Sequence, residues 1–559
     1  MKRSDLRHIT ISDVLALTVP LLLTVPNIIL DLSQPMTLWA ATVNVVLPLG
    51  IYSCLYALWR RGPLLTLLLI PMMVFSAFQI VISYLYGNGI IGVDMFLNVV
   101  TTNMAEVNEL LGNLLIAIGA ILLLYLPPII AAIAGLSRKS LTSERLMLRI
   151  RNIAIPVTVC MAVAMFSSLN FYSPLDDLFP TNIFKNLGMA IGRQARVNSY
   201  PQTSAGYTYH AESARPDSLR EVYVVVVGET SRADRWQLAG YGRETNPRLS
   251  ARDGLIFFPK TLTESNTTHK SVPMILSDLT AANFDSIDYR KSMLTAFNEA
   301  GYSTAFISNQ KRNRSYTEYF AKEADRTLYL PDGAASQPYD EEVIPALEEI
   351  LADSTAGKQF IVIHTYGSHF KYNDRYPRSH AVFTPDIFAD ANPGCRDELN
   401  NAFDNTVTYT DYVLSQIIER LDSLNVPSAL IYTSDHGEDI YDDSRLRFLH
   451  ASPTPTYYQL HVPMLVWLSD ESQELMPGAM EAMKRNSLGR TCSTEAVFHT
   501  IIDLAGLRTP RWQRGSALTS SGYRAPEPIF VDDRNEMHPL TESGLTDDDM
   551  VILKRKEIL

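Results

Sequence analysis

The feature that most limits what this chain can become is the run of five apolar stretches in its first 170 residues, at 11–30, 37–59, 64–86, 110–134 and 152–169. Each is near the ~20 residues that a helix needs to cross a bilayer, and a backbone inside lipid must satisfy its own polar groups, so each predicts a transmembrane helix. A cleaved leader would explain the first stretch but not the four that follow. Lysine and arginine gather at Lys2, Arg3 and Arg7, at Arg60 and Arg61, and from Arg138 to Arg151, whereas the alternate loops 31–36 and 87–109 hold none. The positive-inside bias therefore puts the amino terminus in the cytoplasm, and an odd number of spans delivers the rest of the chain to the opposite face.

Beyond the spans, residues 171–220 read as a linker broken by Pro174, Pro180, Pro201 and Pro216. Within it Ile183, Phe184, Leu187 and Ile191 recur at helical spacing, which suits a helix lying in the membrane interface or packed on the following domain. From residue 221 onward, apolar strand patterns alternate with amphipathic stretches such as 399–421, the rhythm of an α/β domain with a mainly parallel sheet. The expected divisions are thus 1–170, 171–220 and 221–559. A net charge of −12 offers no basic face and argues against a nucleic-acid partner. Cys54 and Cys160 fall in the spans, leaving Cys395 and Cys492 as a pair that an oxidising compartment would permit to bridge. The residues of the tail, 526–559, imply no role.

Two strands carry the chemistry. In "VYVVVVGETSRADRW", residues 222–236, a run without polar alternation predicts a strand buried on both faces, ending in Glu229, Thr230, Ser231 and Arg232. In open α/β sheets the ligand crevice lies at the carboxyl ends of such strands. In "ALIYTSDHGED" a second buried strand ends in Asp435, His436 and Glu438. Glu229, Asp435 and His436 are oxygen and nitrogen donors suited to zinc, and Thr230 is placed to approach an open position on it. Metal coordination promotes the alkoxide of an otherwise poor nucleophile, and a helix expected after Thr230 would add N–H groups for a phosphate. His369 in "TYGSHFKYNDRYP" and His450 in "RFLHASPTP" are candidates to hold a second cation or to stabilise charge on a transferring phosphoryl group.

These motifs, with "SVPMILSDL", "AFDNTVTYTDYVL" and the five spans, make the chain similar over nearly its full length to the integral-membrane phosphoethanolamine transferases of Gram-negative bacteria, of the alkaline phosphatase and sulfatase superfamily. The resemblance implies five transmembrane helices in the inner membrane and a periplasmic sulfatase-like α/β domain. It implies Thr230 as nucleophile, Glu229, Asp435 and His436 as its zinc partners, and His369 and His450 at the phosphoryl group or a second zinc. Thr268, His269 and Lys270 in "ESNTTHKSVP" stand where family members place a phosphate-contacting segment, here without the family's usual Cys-Gly-Thr run. Asn103 and Glu106 match a Thr-Asn…Glu run in a membrane-domain loop and are expected to hold the donor's ammonium group. The implied activity moves phosphoethanolamine from phosphatidylethanolamine to lipid A or another lipopolysaccharide acceptor through a threonine adduct, the enzyme acting as a monomer. Lowered surface charge would then resist cationic peptides such as polymyxin. A glycerol-phosphate transferase, a tethered sulfatase or a non-catalytic phosphate-binding envelope protein are the alternatives.

Overall fold

The computed structural model describes residues 9–33, 37–86, 89–101, 114–167, 172–353 and 357–559. The chain forms two compact units, residues 1–96 with 110–191, and residues 97–109 with 192–559.

The first unit is helical: α1 (Ile11–Ser33), α2 (Leu38–Leu58), α3 (Gly62–Leu68), α4 (Ile70–Tyr86), α5 (Val93–Thr101), α6 (Leu115–Ser137) and α7 (Glu144–Phe166), with α8 (Thr181–Thr203) running out of it. α1, α2, α6 and α7 are each long and apolar enough to cross a membrane, and α3 with α4 makes a fifth when that pair is counted as one span. This pair is bent by 51°. Pro71 explains the break, because its ring clashes with the carbonyl four residues back and it has no N–H to give. α7 starts before the expected span, so Arg145, Arg149 and Arg151 form its first turns. Leu15, Val19 and Leu23 of α1 pack with Tyr52 and Tyr56 of α2 and Tyr125 of α6. Buried hydroxyls find partners, as an apolar surround demands: Tyr56 with Thr66 at 2.7 Å and Ser12 with Thr142 at 2.7 Å. On α8, Ile183 is buried while Phe184 and Ile191 are exposed.

The second unit is built on β1 (Glu221–Gly228), β2 (Leu255–Phe257), β3 (Ser303–Ser308), β4 (Arg326–Tyr329), β5 (Lys358–His364), β6 (Ser428–Ser434) and β7 (Met464–Leu468), in the sheet order β2-β7-β6-β1-β5-β3-β4. β1 pairs in parallel with β5 and β6, placing Val225 opposite Val362 and Ile431. β7 runs opposite to the other six strands of this sheet, antiparallel to both β2 and β6. Every residue of β1 is buried, as its unalternating valines require. Val225 and Val227 share a core with Val272 and Ile275 of α9 (Thr268–Ile275) and with Phe498. The expected amphipathic stretch lies inside the long helix α10 (Arg396–Asp422). In the tail, α11 (Asp547–Arg555) is anchored by Asp549, which takes two hydrogen bonds from Arg445 at 2.6 and 2.8 Å and one from the Tyr457 amide at 3.1 Å. Cys395 and Cys492 are both free thiols.

Candidate active site

The carboxyl ends of β1, β5 and β6 meet at one point of the sheet, and the residues after each strand converge there. Directly after β1, Thr230 adopts φ 61°, a left-handed conformation that β-branched residues rarely take. Such strain costs about 1–3 kcal/mol and persists only where the surroundings over-determine it. Two contacts from the end of β6 do so: the Thr230 amide donates to Asp435 Oδ1 at 3.1 Å, and the Ser231 amide to Ser434 Oγ at 2.8 Å. The turn aims Thr230 Oγ1 at Glu229 Oε1, 2.8 Å away. No α-helix follows. The chain instead makes a 3-10 turn, Ala233–Arg235, because Arg232 is drawn between Asp234 and Asp442, and the amides a helix would have offered are already taken.

Around Thr230 the donors are close. His436 Nε2 lies 3.5 Å from Glu229 Oε1 and 3.2 Å from Asp435 Oδ2. His436 Nδ1 faces the Gly437 carbonyl at 3.0 Å; donation there leaves Nε2 as a lone pair turned towards the carboxylates. Thr268, opening α9, puts its hydroxyl 3.0 Å from that nitrogen and 3.3 Å from Glu229 Oε1. The His450 ring lies 4.1 Å from that of His436 and tilted to it by 39°, and the ligand atoms of Glu229, His436 and His450 all lie within 4.8 Å of one another. His369 is farther out, its ring 6.3 Å from that of His450. Gly367, in the loop after β5, has φ 55° and passes so near β1 that a Cβ would stand 2.6 Å from the Glu229 carbonyl oxygen.

This is a crowded set of buried carboxyls. Burial, aided by Asp435, raises the Glu229 carboxyl; burial holds Asp435 up at about 6 and Glu438 well above the usual carboxylate range. The same burial pushes His436 down and His450 well down. Asp435 Oδ2 and Glu438 Oε1 are buried without a hydrogen-bond partner among the described residues. A lone pair facing carboxyl oxygens, with an orphaned oxygen beside it, fits a divalent cation, which would supply the missing positive charge.

The remaining sequence candidates separate. His269 and Lys270 follow Thr268 but line a cavity of about 350 Å³ together with Phe284, Ile287 and Tyr316, and Lys270 Nζ donates to the Asp532 carbonyl. Asn103 and Glu106 lie outside the described residues. Three further histidines are structural: His364 is buried within β5, His461 sits between Tyr457 Oη and the Pro259 carbonyl, and His499 accepts from the Gln513 amide. Gln310, which the sequence reading did not single out, donates through Nε2 to Glu229 Oε2 at 2.9 Å. Its signal was its place just past "STAFIS", at another strand's carboxyl end.

Comparison with known proteins fits this geometry. The family profile described as Sulfatase matches residues 221–507, the span that holds every strand of the sheet and all of the donors. The chain belongs to the sulfatase family. This sulfatase-family chain is 28% identical over 525 residues to phosphoethanolamine transferase EptA of Escherichia coli K12, covering 90% of itself and 92% of that relative. It is 30% identical over 298 residues to E. coli K12 phosphoethanolamine transferase EptC, half of each chain. Among solved structures it matches the integral-membrane lipooligosaccharide phosphoethanolamine transferase A of Neisseria meningitidis with a TM-score of 0.71 at 22% identity, over 92% of this chain and 99% of that one. The C-terminal periplasmic domain of E. coli EptC in complex with Zn matches with a TM-score of 0.55 at 26% identity, over 62% and 98%. The fold expected from the motifs, apolar helices followed by a sulfatase-like domain on a mainly parallel sheet, is borne out.

Proposed function

We propose that the protein is a multi-pass inner-membrane phosphoethanolamine transferase with its sulfatase-like domain in the periplasm. The observation that carries the reading is the strained Thr230, whose Oγ1 points into a buried set of metal-type donors at the head of the sheet. The full-length likeness to transferases of that name supports it. Glu229, Asp435 and His436, with Thr230 Oγ1 and His450 beside them, would hold zinc, which suits mixed oxygen and nitrogen donors and, when bound, favours the threonine alkoxide. His369 and His450 are the candidates for a second zinc.

In the first half-reaction Thr230 Oγ1 attacks the phosphorus of phosphatidylethanolamine. The Oγ1–P bond forms, the bond to the glycerol oxygen breaks, and that oxygen takes up the proton that the threonine lost, releasing diacylglycerol. In the second, an oxygen of lipid A or another lipopolysaccharide acceptor attacks the same phosphorus; the new O–P bond forms as the Oγ1–P bond breaks, and the acceptor's proton returns to Thr230 Oγ1. Thr268 steadies His436 and Glu229 through its hydroxyl, while His369 and His450 stand where charge develops on the phosphoryl oxygens. The transferred ammonium lowers the negative charge of the surface and so weakens attraction of cationic peptides such as polymyxin. The protein works as a monomer on two lipid substrates. Mass spectrometry of lipid A and core sugars from cells with and without the protein tests this: a phosphoethanolamine increment that depends on Thr230 is expected, and lipid profiles that do not differ would overturn the assignment.

A further inference from the structure

His450 sits in an unusual stretch of backbone. Leu449 before it has φ 67° and Ala451 after it φ 63°, so two non-glycine residues in the left-handed region flank one imidazole. Something must hold such a loop, and the groups that do so surround Gln459, whose side chain is fully buried. Its Nε2 donates to Asp439 Oδ2 at 2.6 Å and lies 3.4 Å from the Leu449 carbonyl and 3.1 Å from Ser452 Oγ, thus reaching both sides of His450. Its Oε1 accepts from Asn266 Nδ2 at 2.7 Å, and Asn266 in turn donates to the Ser452 carbonyl at 2.9 Å. Asn266 stands two residues before Thr268, which touches Glu229 and His436. The backbone of Gln459 reaches the other half of the site, its carbonyl accepting from the Gly437 amide, next to His436, at 2.8 Å. Only glycine fits at that approach, since a Cβ on Gly437 would lie 2.2 Å from the Tyr458 carbonyl oxygen.

We propose that Gln459 is a positioning residue for the transfer reaction: its buried side-chain amide clamps the strained His450 loop to the segment that carries Thr268 and to Asp439, three residues after His436. The inference rests on the reading of His450 as a residue of the reacting site. A neutral amide is suited to the task because it both donates and accepts, whereas an acid would face the Asp439 carboxyl and an apolar side chain would take from Asn266 and from Asp439 Oδ2 the hydrogen bonds that Gln459 makes to them. Without the clamp the two left-handed residues relax, and the fraction of molecules with His450 in place falls.

The test is a cycle in the full-length protein. Gln459→Ala is expected to lower kcat about 100-fold, the usual scale for a misplaced reacting group, with KM for lipid little changed. Ala451→Gly alone should stay near wild type. Combined with Gln459→Ala it should restore about tenfold of the lost kcat, because glycine accepts the left-handed conformation without strain and repopulates the working loop. Thermal unfolding of each variant, measured in parallel, separates loop placement from loss of fold. A Gln459→Ala enzyme with wild-type kcat overturns the proposal, and so does a double variant no faster than Gln459→Ala. Wild-type turnover in His450→Ala would instead overturn the reading on which it rests.

Discussion

At the scale of single residues, the site stores cost in two forms, a strained Thr230 and a set of carboxyls whose ionisation burial disfavours. Thr230→Ala removes the hydroxyl and nothing else, so zinc content and cooperative unfolding should persist while the phosphoethanolamine adduct vanishes from intact-protein mass spectra; an adduct retained in that variant would place the nucleophile elsewhere. The carboxyls set a pH dependence. Burial holds Asp439, beside the site, and Glu323, away from it and accepting from Ser292 and Thr295, up at about 7, far above the ~4 at which an unfolded chain ionises them. Between about pH 6.5 and pH 8 the folded protein therefore carries more protons than the unfolded one, and its stability falls as pH rises. His364, His461 and His499, pushed down to about 4 by burial, act in the opposite sense, an effect that fades as pH rises past the ~6.5 at which the unfolded chain protonates them and so offsets part of the trend near the lower end of that window. Metal-stripped protein should thus melt lower at pH 8 than at pH 6.5. Loading zinc should reduce or reverse that trend, because metal ligands bind deprotonated. A melting temperature of the stripped protein that climbs across the window would refute the account.

Between elements, Arg232 does the joining. It is 1% exposed, pairs with Asp234 and Asp442 at 2.7 and 2.8 Å, donates to the Glu438 carbonyl at 3.2 Å and lies 4.5 Å from the centre of the Tyr458 ring. It thereby ties the turn after β1 to the loop after β6. Arg232→Met takes the nearest cation from Asp234 and Asp442, leaving Asp442 only Arg235 at 3.8 Å, and should cost about 2–3 kcal/mol of stability, read from urea unfolding. Arg232→Lys should recover only part, since one ammonium cannot reproduce a planar fork. The same elements show what the sequence made legible. The spans and β1 could be read because their composition alone excludes other structures, and Glu229, Asp435 and His436 because they end such strands. The absent helix after Thr230 could not be read, since it depends on Asp442, a residue far away in sequence. Gln459 was equally hidden: "TYYQLHVP" looks like a connection, and its importance lies wholly in partners at 266, 439 and 452. The break between α3 and α4 was not read, because Pro71 lies inside an apolar run that looks like one continuous span.

For the molecule as a whole, the proposed reaction needs a lipid donor as well as a catalytic domain. Asn103 and Glu106, read as contacts to the donor's ammonium, supply a test of that need in the intact chain. Glu106→Ala and Asn103→Ala should impair transfer from phosphatidylethanolamine in membranes and spare slow cleavage of a small soluble phosphodiester, which asks nothing of these residues. Equal losses on both substrates, or wild-type transfer from lipid, would remove these residues from the donor site. The position of β1 at the centre of its sheet also governs how the domain is made. This valine-rich segment is the first strand of the sheet to leave the membrane, yet its two neighbours, β5 and β6, come much later in the chain, and both must arrive before it is covered. Until then it is an unpaired stretch of high β-propensity whose residues after Glu221 carry no charge, the kind of segment that associates with copies of itself. Yield of this protein should therefore be limited by the time between the emergence of β1 and of β6, and slower synthesis of the intervening residues should increase aggregation more than any change in the stability of the finished fold.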